Sequence, residues 1–466
     1  MQNQENKQNL NGAISVAPIK KQTKEPIRLS DHFTVKKLLR FTLPSIAMMI
    51  FTSIYGVVDG FFVSNFVGKT AFAAVNFIMP FLMILGAFGF MFGAGGSALV
   101  SKIMGQGDKE KANRQFSLIV YASLVLGVII AVLGVIFLPA IASLLGAEGQ
   151  MHSDCVLYGT IILIALPAYM MQMEFQSFFI TAEKPTLGLI VTVAAGVTNM
   201  ALDALLVAVF PFGLVGAAVA TALSQLVGGV IPVIYFLRNN TSLLRLSKTK
   251  WDGNALLKVC VNGSSELMSN ISMSLVGMLY NIQLLAYAGE DGIAAYGVLM
   301  YVSMIFIAVF IGYSVGTAPV VGYHYGAENH EELKELLKKS LAIIGVASLG
   351  MLGLSFALAT PLSYLFVGYD EGLFALTQRG FYIYSFCFLF SGFAIYASGF
   401  FTALNDGVTS AIISFLRTLV FQIAAVMLLP LVWGIDGIWL SIVVAEVLAV
   451  LVGAAFLIGK RKHFKY

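Results

Sequence analysis

Long apolar runs alternate with short polar, charge-bearing breaks along almost the whole chain. The runs lie near 41–66, 72–100, 116–145, 154–181, 186–209 and 213–237, then near 259–288, 293–321, 340–367, 374–404, 407–431 and 436–459. A helix that crosses a bilayer needs roughly 20 mostly apolar residues, so the pattern predicts twelve spanning helices. Several runs exceed that length, which predicts tilt, kinks or helical extension past the lipid. Composition agrees: 58% of residues are hydrophobic and 11% charged, with a mean hydropathy of +0.87. A soluble fold could not solvate that surface. The expected class is an all-α polytopic membrane protein.

Lysine and arginine set the orientation. With the N-terminus inside, 25 of the 28 basic residues fall on the inner side; Lys69 and Arg379 lie outside, and Arg417 lies within a span. The positive-inside rule therefore places both termini in the cytoplasm of a cell-membrane protein. The net charge of +4 reflects this topology, so a lipid bilayer is the expected surface and no nucleic acid is implied. Residues 1–35 read as a cytoplasmic tail, disordered through residue 27 and without the apolar core of a signal peptide. Cys155, Cys260 and Cys387 are isolated in sequence and indicate neither a disulfide framework nor a thiolate metal site.

The two halves align at one offset of 221 residues: Ala73-Ala74 falls on Ala294-Ala295, Gly105 on Gly326, Gly159 on Gly380, Thr181-Ala182 on Thr402-Ala403, and Gly213 and Gly216 on Gly434 and Gly437. Six spans per half make this a parallel repeat, related by an axis along the membrane normal, as in secondary transporters with a site between the halves. The expected division is a six-helix lobe at 36–238, a cytoplasmic linker at 239–256, a second six-helix lobe at 257–459 and a tail at 460–466.

Two aspartates break the apolar pattern deep inside spans: Asp59 in the first and Asp203 in the fifth. A carboxylate near mid-bilayer costs at least ~2.5–3.5 kcal/mol on insertion scales, and its default reading is a functional site. At the repeat offset these acids fall on Tyr280 and Ala424, so the ion chemistry belongs to the leading half. Asn199 and Asp203 are four residues apart on one helix face, as are Thr221 and Gln225 on the next helix. Measured from the short turn at Pro211–Gly213, Asp203 and Thr221 lie at similar depths, so the two pairs can meet. Such an oxygen-rich cluster suits a hard cation, and two adjacent carboxylates also suit a proton; the residues permit both.

The chain resembles the multidrug and toxin extrusion (MATE) family, its MepA-like branch in particular. The resemblance rests on Val58-Asp59-Gly60, Gly95-Gly96-Ser97-Ala98-Leu99-Val100-Ser101-Lys102, Gln176-Ser177-Phe178-Phe179, Ala182-Glu183-Lys184-Pro185, Thr198-Asn199, Leu202-Asp203, Gly216–Thr221 and Ser224-Gln225. It implies a V-shaped exporter of two six-helix bundles that exchanges cationic drugs for H⁺ or Na⁺. The family's coupling-cation residues map onto Asp59, Asn199, Asp203 and Thr221. Its helix-bending proline maps onto Pro44. No cofactor beyond the coupling ion is implied, the partners are small cationic molecules, and a monomer is expected. Members that place an essential glutamate in the seventh span do so at a position that Glu266 does not match.

Other polar residues within spans are Glu174, Glu266, Glu446 and Arg417. Glu174, Gln225 and Arg417 are candidates for a substrate cavity, together with Met170, Met171 and Met173 of the fourth span and Met273 and Met278 of the seventh, since soft side chains adapt to varied ligands. The glycine run Gly86–Gly96 reads as close helix packing. A flippase or exporter of lipid-linked saccharides is the competing function, but it needs basic residues in the cavity and Arg417 stands alone. An enzyme is not expected, because no nucleophile–base or metal-ligand constellation is present. Phe66–Thr70 lacks the first glycine of a phosphate loop, and the five histidines show no metal-ligand spacing.

Overall fold

The computed structural model describes residues 27–466; residues 1–26, most of the expected disordered tail, lie outside the described residues. Among the described residues there are helices and no strands. The leading half holds α1 (Val35–Phe62), α2 (Lys69–Gly105), α3 (Lys109–Leu145), α4 (Gly149–Thr181), α5 (Pro185–Asp203) and α6 (Gly213–Leu237). The trailing half holds α7 (Gly253–Gly326), α8 (His330–Val367), α9 (Glu371–Ser385), α10 (Phe388–Ala403), α11 (Gly407–Phe415), α12 (Phe421–Leu428), the short α13 (Pro430–Trp433) and α14 (Ile435–Phe464).

At 74 residues, α7 would be a rod of about 110 Å, far longer than the ~30 Å of bilayer hydrocarbon. It breaks at Gly289 (φ 63°, ψ −150°) into two crossings. The pair α9 and α10 is one span bent by 46°, and α11 continues into α12 through a π turn at Leu416–Val420. The chain thus crosses twelve times. Several helices overrun their apolar runs on the side where both described ends lie. There Asp108 caps α3 by accepting from Lys111 N–H, and Asn329 caps α8 by accepting from Glu332 N–H.

The duplication is visible in the backbone. Gly68 and Gly289, Gly107 and Glu328, and Gly213 and Gly434, each pair 221 residues apart, all turn with positive φ. Side chains repeat it less faithfully than turns do.

Packing shows how the halves meet. One buried apolar core draws on both, from Phe41, Met91, Phe116 and Phe178 to Val259, Phe310, Tyr396 and Phe401. Two further cores each stay within a single half: Ala74, Leu138, Leu163 and Leu214 in the leading one, Val276, Leu299, Phe381 and Trp439 in the trailing one. The shared core lies on the terminus-bearing side, so the molecule is a V with its apex there. Glycines let the apex close. A Cβ added at Gly105 would fall 2.0 Å from Tyr323 O, and one at Gly326 would fall 2.0 Å from Lys102 O, a reciprocal pair under the repeat. Gly95 meets Val259 O and Gly263 meets Met91 O in the same way. On the far side Gly56, Gly60, Gly277 and Gly297 have no neighbour within 4 Å of where a Cβ would sit. The run Gly86–Gly96 serves packing as read: Gly89 and Gly93 admit the α4 backbone at Met170 and Glu174.

These notches face backbone, which cannot swing aside. Gly105→Ala and Gly326→Ala are each expected to destabilise the closed apex by about 1–3 kcal/mol, the usual range for overpacking. Thermal unfolding of the purified protein checks this, with Gly297→Ala expected to match the parent.

Candidate functional site

Asp59 sits in the last turn of α1, which then runs into a π turn at Val63–Val67. Asp203 ends α5 and is followed directly by another π turn, Ala204–Val209. Extra-residue turns of this kind are frequent at functional positions, and nothing in the apolar pattern announces them. Thr221 comes from α6, which packs antiparallel to α5 across the turn at 210–213.

The structure brings the four residues together. Asn199 Nδ2 donates to Asp59 Oδ1 at 3.5 Å and Thr221 Oγ1 donates to the same oxygen at 3.3 Å. The Asp203 carboxyl is a close neighbour of the Asp59 carboxyl. Asp203 is 0% exposed and Asn199 1%, whereas Asp59 is half-buried and forms the open edge of the cluster. Both Asp203 oxygens and Asn199 Oδ1 have no hydrogen-bond partner. Buried acceptors left in this state cost free energy. The two bonds to Asp59 are also at the long end of the normal range. The cluster therefore offers several oxygen acceptors, two carboxyls and no basic side chain, a set matched to a hard cation or a proton.

Three polar residues that sequence spacing did not reveal complete the surroundings. Tyr158 of α4 is buried with its hydroxyl close to both carboxyls and to Thr221. Tyr55, one turn before Asp59, lies beside Gln172 of α4. The Gln172 amide fills the notch left by Gly228, where a Cβ would lie 2.5 Å from its Cδ. A polar residue inside a span was the one available signal, but α4 offered no offset linking it to Asp59.

The expected substrate-cavity residues do not gather. Glu174 is fully buried inside the leading bundle, between Gly93 of α2 and Ser123 of α3, and does not reach the cleft between the halves. Met170, Met171 and Met173 are buried packing residues, and the Met170 sulfur fits a notch at Gly127. Met273 and Met278 are exposed on α7. Gln225 is half-buried, one turn beyond Thr221, with its Oε1 unpartnered. Arg417 grips Glu446 with two of its nitrogens, Nε to Oε1 and Oε2 at 3.0 and 2.9 Å and Nη2 to Oε1 at 2.8 Å. Glu266 is the second acid near that arginine. α1 continues helically through Pro44, and the adjoining Ser45 and Ile46 press on the notch at Gly312 of α7. Among the described residues no group of three His, Cys, Asp or Glu side chains is placed to hold a metal ion.

Comparison with known proteins agrees with this architecture. The MatE family model matches twice, over residues 44–205 and 267–428, once in each half. A multidrug export protein, MepA, of Staphylococcus saprophyticus is 25% identical over 424 residues, covering 91% of this chain and 93% of that protein. The MepA of Staphylococcus haemolyticus is 28% identical over 312 residues, 67% of this chain and 69% of its own. Among solved structures, a MATE in complex with MaL6 superposes with a TM-score of 0.88 at 23% identity, covering 93% of this chain and 98% of the other. A MATE-family transporter in an outward-facing conformation gives 0.85 at 24% identity, with 93% and 97% covered. With twelve crossings, a duplicated V and a family model matched over both arms, this chain is a multi-pass membrane protein belonging to the MatE family.

Proposed function

We propose that this protein, a transporter and not an enzyme, exports small lipophilic cations from the cell by alternating access, coupled to inward flow of H⁺ or Na⁺. The observation that carries the coupling is the Asp59–Asn199–Asp203–Thr221 cluster, which holds two adjacent carboxyls and unpartnered oxygens inside a span region. Two carboxylates in a dry pocket repel one another, and a cation between them removes that cost. A site that gains free energy from a cation can drive a conformational change only if it binds that cation more tightly in one state. Relatives named for multidrug export support the choice of cargo.

In this reading the bundles 36–238 and 257–459 rock about the apex, the linker 239–256 joins them in the cytoplasm, and both termini are cytoplasmic. The V opens to the outside. An outside cation loads Asp59, favours drug release there, and drug rebinding follows once the cytoplasmic side opens. Pro44 removes one backbone bond from α1 beside the apex contact with Gly312, giving that helix a bending point. The protein works as a monomer.

Export of a lipid-linked saccharide is less well supported. A pyrophosphate would need free basic groups in the cavity, and Arg417 is committed to Glu446.

The direct test is uptake of a fluorescent cation into everted vesicles under an imposed proton or sodium gradient. Gradient-dependent uptake is the expected result, and the gradient that drives it names the ion. Uptake indifferent to both gradients overturns the coupling.

A further inference from the structure

Residues 28–34 close the segment read as a cytoplasmic tail, just past the stretch expected to be disordered. They cross the apex of the V as a strap fastened at both ends. Leu29 and Phe33 are fully buried. Leu29 N–H donates to Glu183 Oε1 at 2.6 Å, and Glu183 belongs to the turn between α4 and α5 in the leading half. Four residues on, Phe33 N–H donates to Glu332 Oε1 at 2.8 Å, His32 Nδ1 meets Glu332 Oε2 at 2.5 Å, and Lys339 Nζ donates to Phe33 O at 2.9 Å. Glu332 and Lys339 are on α8, in the trailing half. The Phe33 ring stands edge-on to His324 of α7 and Phe41 of α1. Asp31 stiffens the strap, accepting from Arg28 N–H at 3.0 Å and pairing with Lys37 at 2.8 Å. The lysine and the Arg28 amide outweigh partial burial and hold its carboxyl below the usual range.

We propose that residues 28–34 are a latch that holds the terminus-bearing ends of the two halves together and must release whenever that side opens. This inference rests on the alternating-access reading above. The geometry demands release. Four residues of chain, Leu29 to Phe33, reach at most about 14 Å when fully extended, so the bundles cannot part far with both ends fastened. The leading end holds one hydrogen bond, and the chain itself continues into α1. The trailing end holds three polar contacts and a buried ring. Opening therefore means stripping Phe33 and its partners from α8. The Glu332 carboxylate accepts from a backbone amide and a histidine at once, which gives charge-assisted bonds in a buried place. Glu183 and Glu332 are thus positioning residues for the closed apex, distinct from the cation cluster on α1, α5 and α6.

The test measures the apex directly in the full-length protein. Spin labels go on exposed positions of each half, Lys111→Cys and Lys334→Cys, with the half-buried Cys260 replaced by serine, and distances are read in lipid nanodiscs. Three variants are compared: residues 28–33 replaced by a Gly/Ser segment of equal length, Glu332→Ala, and the milder Lys339→Met. The expected result is that the first two move at least half of the short-distance population to longer distance, and Lys339→Met moves a smaller share. Unchanged distance distributions in the properly folded variants overturn the latch. Dye uptake by the parent is scored separately. Gradient-driven uptake with unmoved distances sinks the latch alone; lengthened distances in the variants with no coupled uptake by the parent sink the coupling and leave the latch standing.

Discussion

Asp59→Asn and Asp203→Asn are each expected to reduce gradient-driven drug export to the level of empty vesicles, a loss of about 100-fold or more. Asparagine keeps the size and hydrogen-bonding reach of aspartate but neither gains nor loses a charge. Packing around 0%-exposed Asp203 should hold, and the amide can donate where both carboxyl oxygens now lack partners. Folding is therefore expected to stay intact or improve slightly, because an uncompensated acid inside a span costs at least ~2.5–3.5 kcal/mol. Removing the charge removes the differential cation affinity on which coupling depends. Thr221→Ala, by contrast, deletes one 3.3 Å contact to Asp59 and should weaken cation affinity by about 10- to 100-fold, one hydrogen bond to a charged group being worth roughly 1.5–3 kcal/mol. The check is dye transport and thermal unfolding on the same preparations. Normal transport by both aspartate variants would remove the cluster from the mechanism.

Arg417→Ala should produce the largest loss of stability of any single change in the trailing half, about 3–5 kcal/mol, the range for breaking a buried ion pair from one side. The arginine is 14% exposed and its partner Glu446 1%. Truncation would leave Glu446 without a counter-ion in an apolar bundle, and would also strip Glu266 of the positive charge nearest to it. Replacing both partners, Arg417→Met with Glu446→Leu, should restore most of the loss, since a well-packed apolar pair often equals or exceeds a buried salt bridge. Thermal unfolding of the three proteins decides it. If the double variant is as unstable as Arg417→Ala, the pair contributes more than charge compensation. If Arg417→Ala is neutral, Glu446 has another partner.

Much of this molecule was legible in the residues. Twelve crossings follow from the length of the apolar runs, and the one-offset duplication reappears as turns with matching backbone sign at Gly68 and Gly289, and at Gly213 and Gly434. Asp59 and Asp203 were legible as a pair because lipid makes a lone carboxylate expensive, and helical spacing supplied Asn199 and Thr221. Depth along a helix says little about azimuth, however. Every residue of α4 from Met170 to Thr181 is buried, so no polar face marks the direction in which Glu174 points, and it proved to face its own bundle. Arg417 and Glu446 sit on different helices and share no local spacing. The strap was hidden for a different reason. Its polar composition resembles a tail, and contacts 154 and 299 residues away, at Glu183 and Glu332, fasten it.

Subtracting 221 from Arg417 and Glu446 gives Gly196 and Gln225, and adding it to Asp59 gives Tyr280. Near-duplicate frames have thus been wired oppositely: in the trailing frame an arginine answers Glu446, whereas the Asp59 oxygen of the leading frame is met by the uncharged Asn199 and Thr221. Under the proposed coupling, a solution ion acts on the leading arm. On that reading a twofold-related scaffold becomes a rectifier, in which one limb senses the medium and its twin serves as a counterweight.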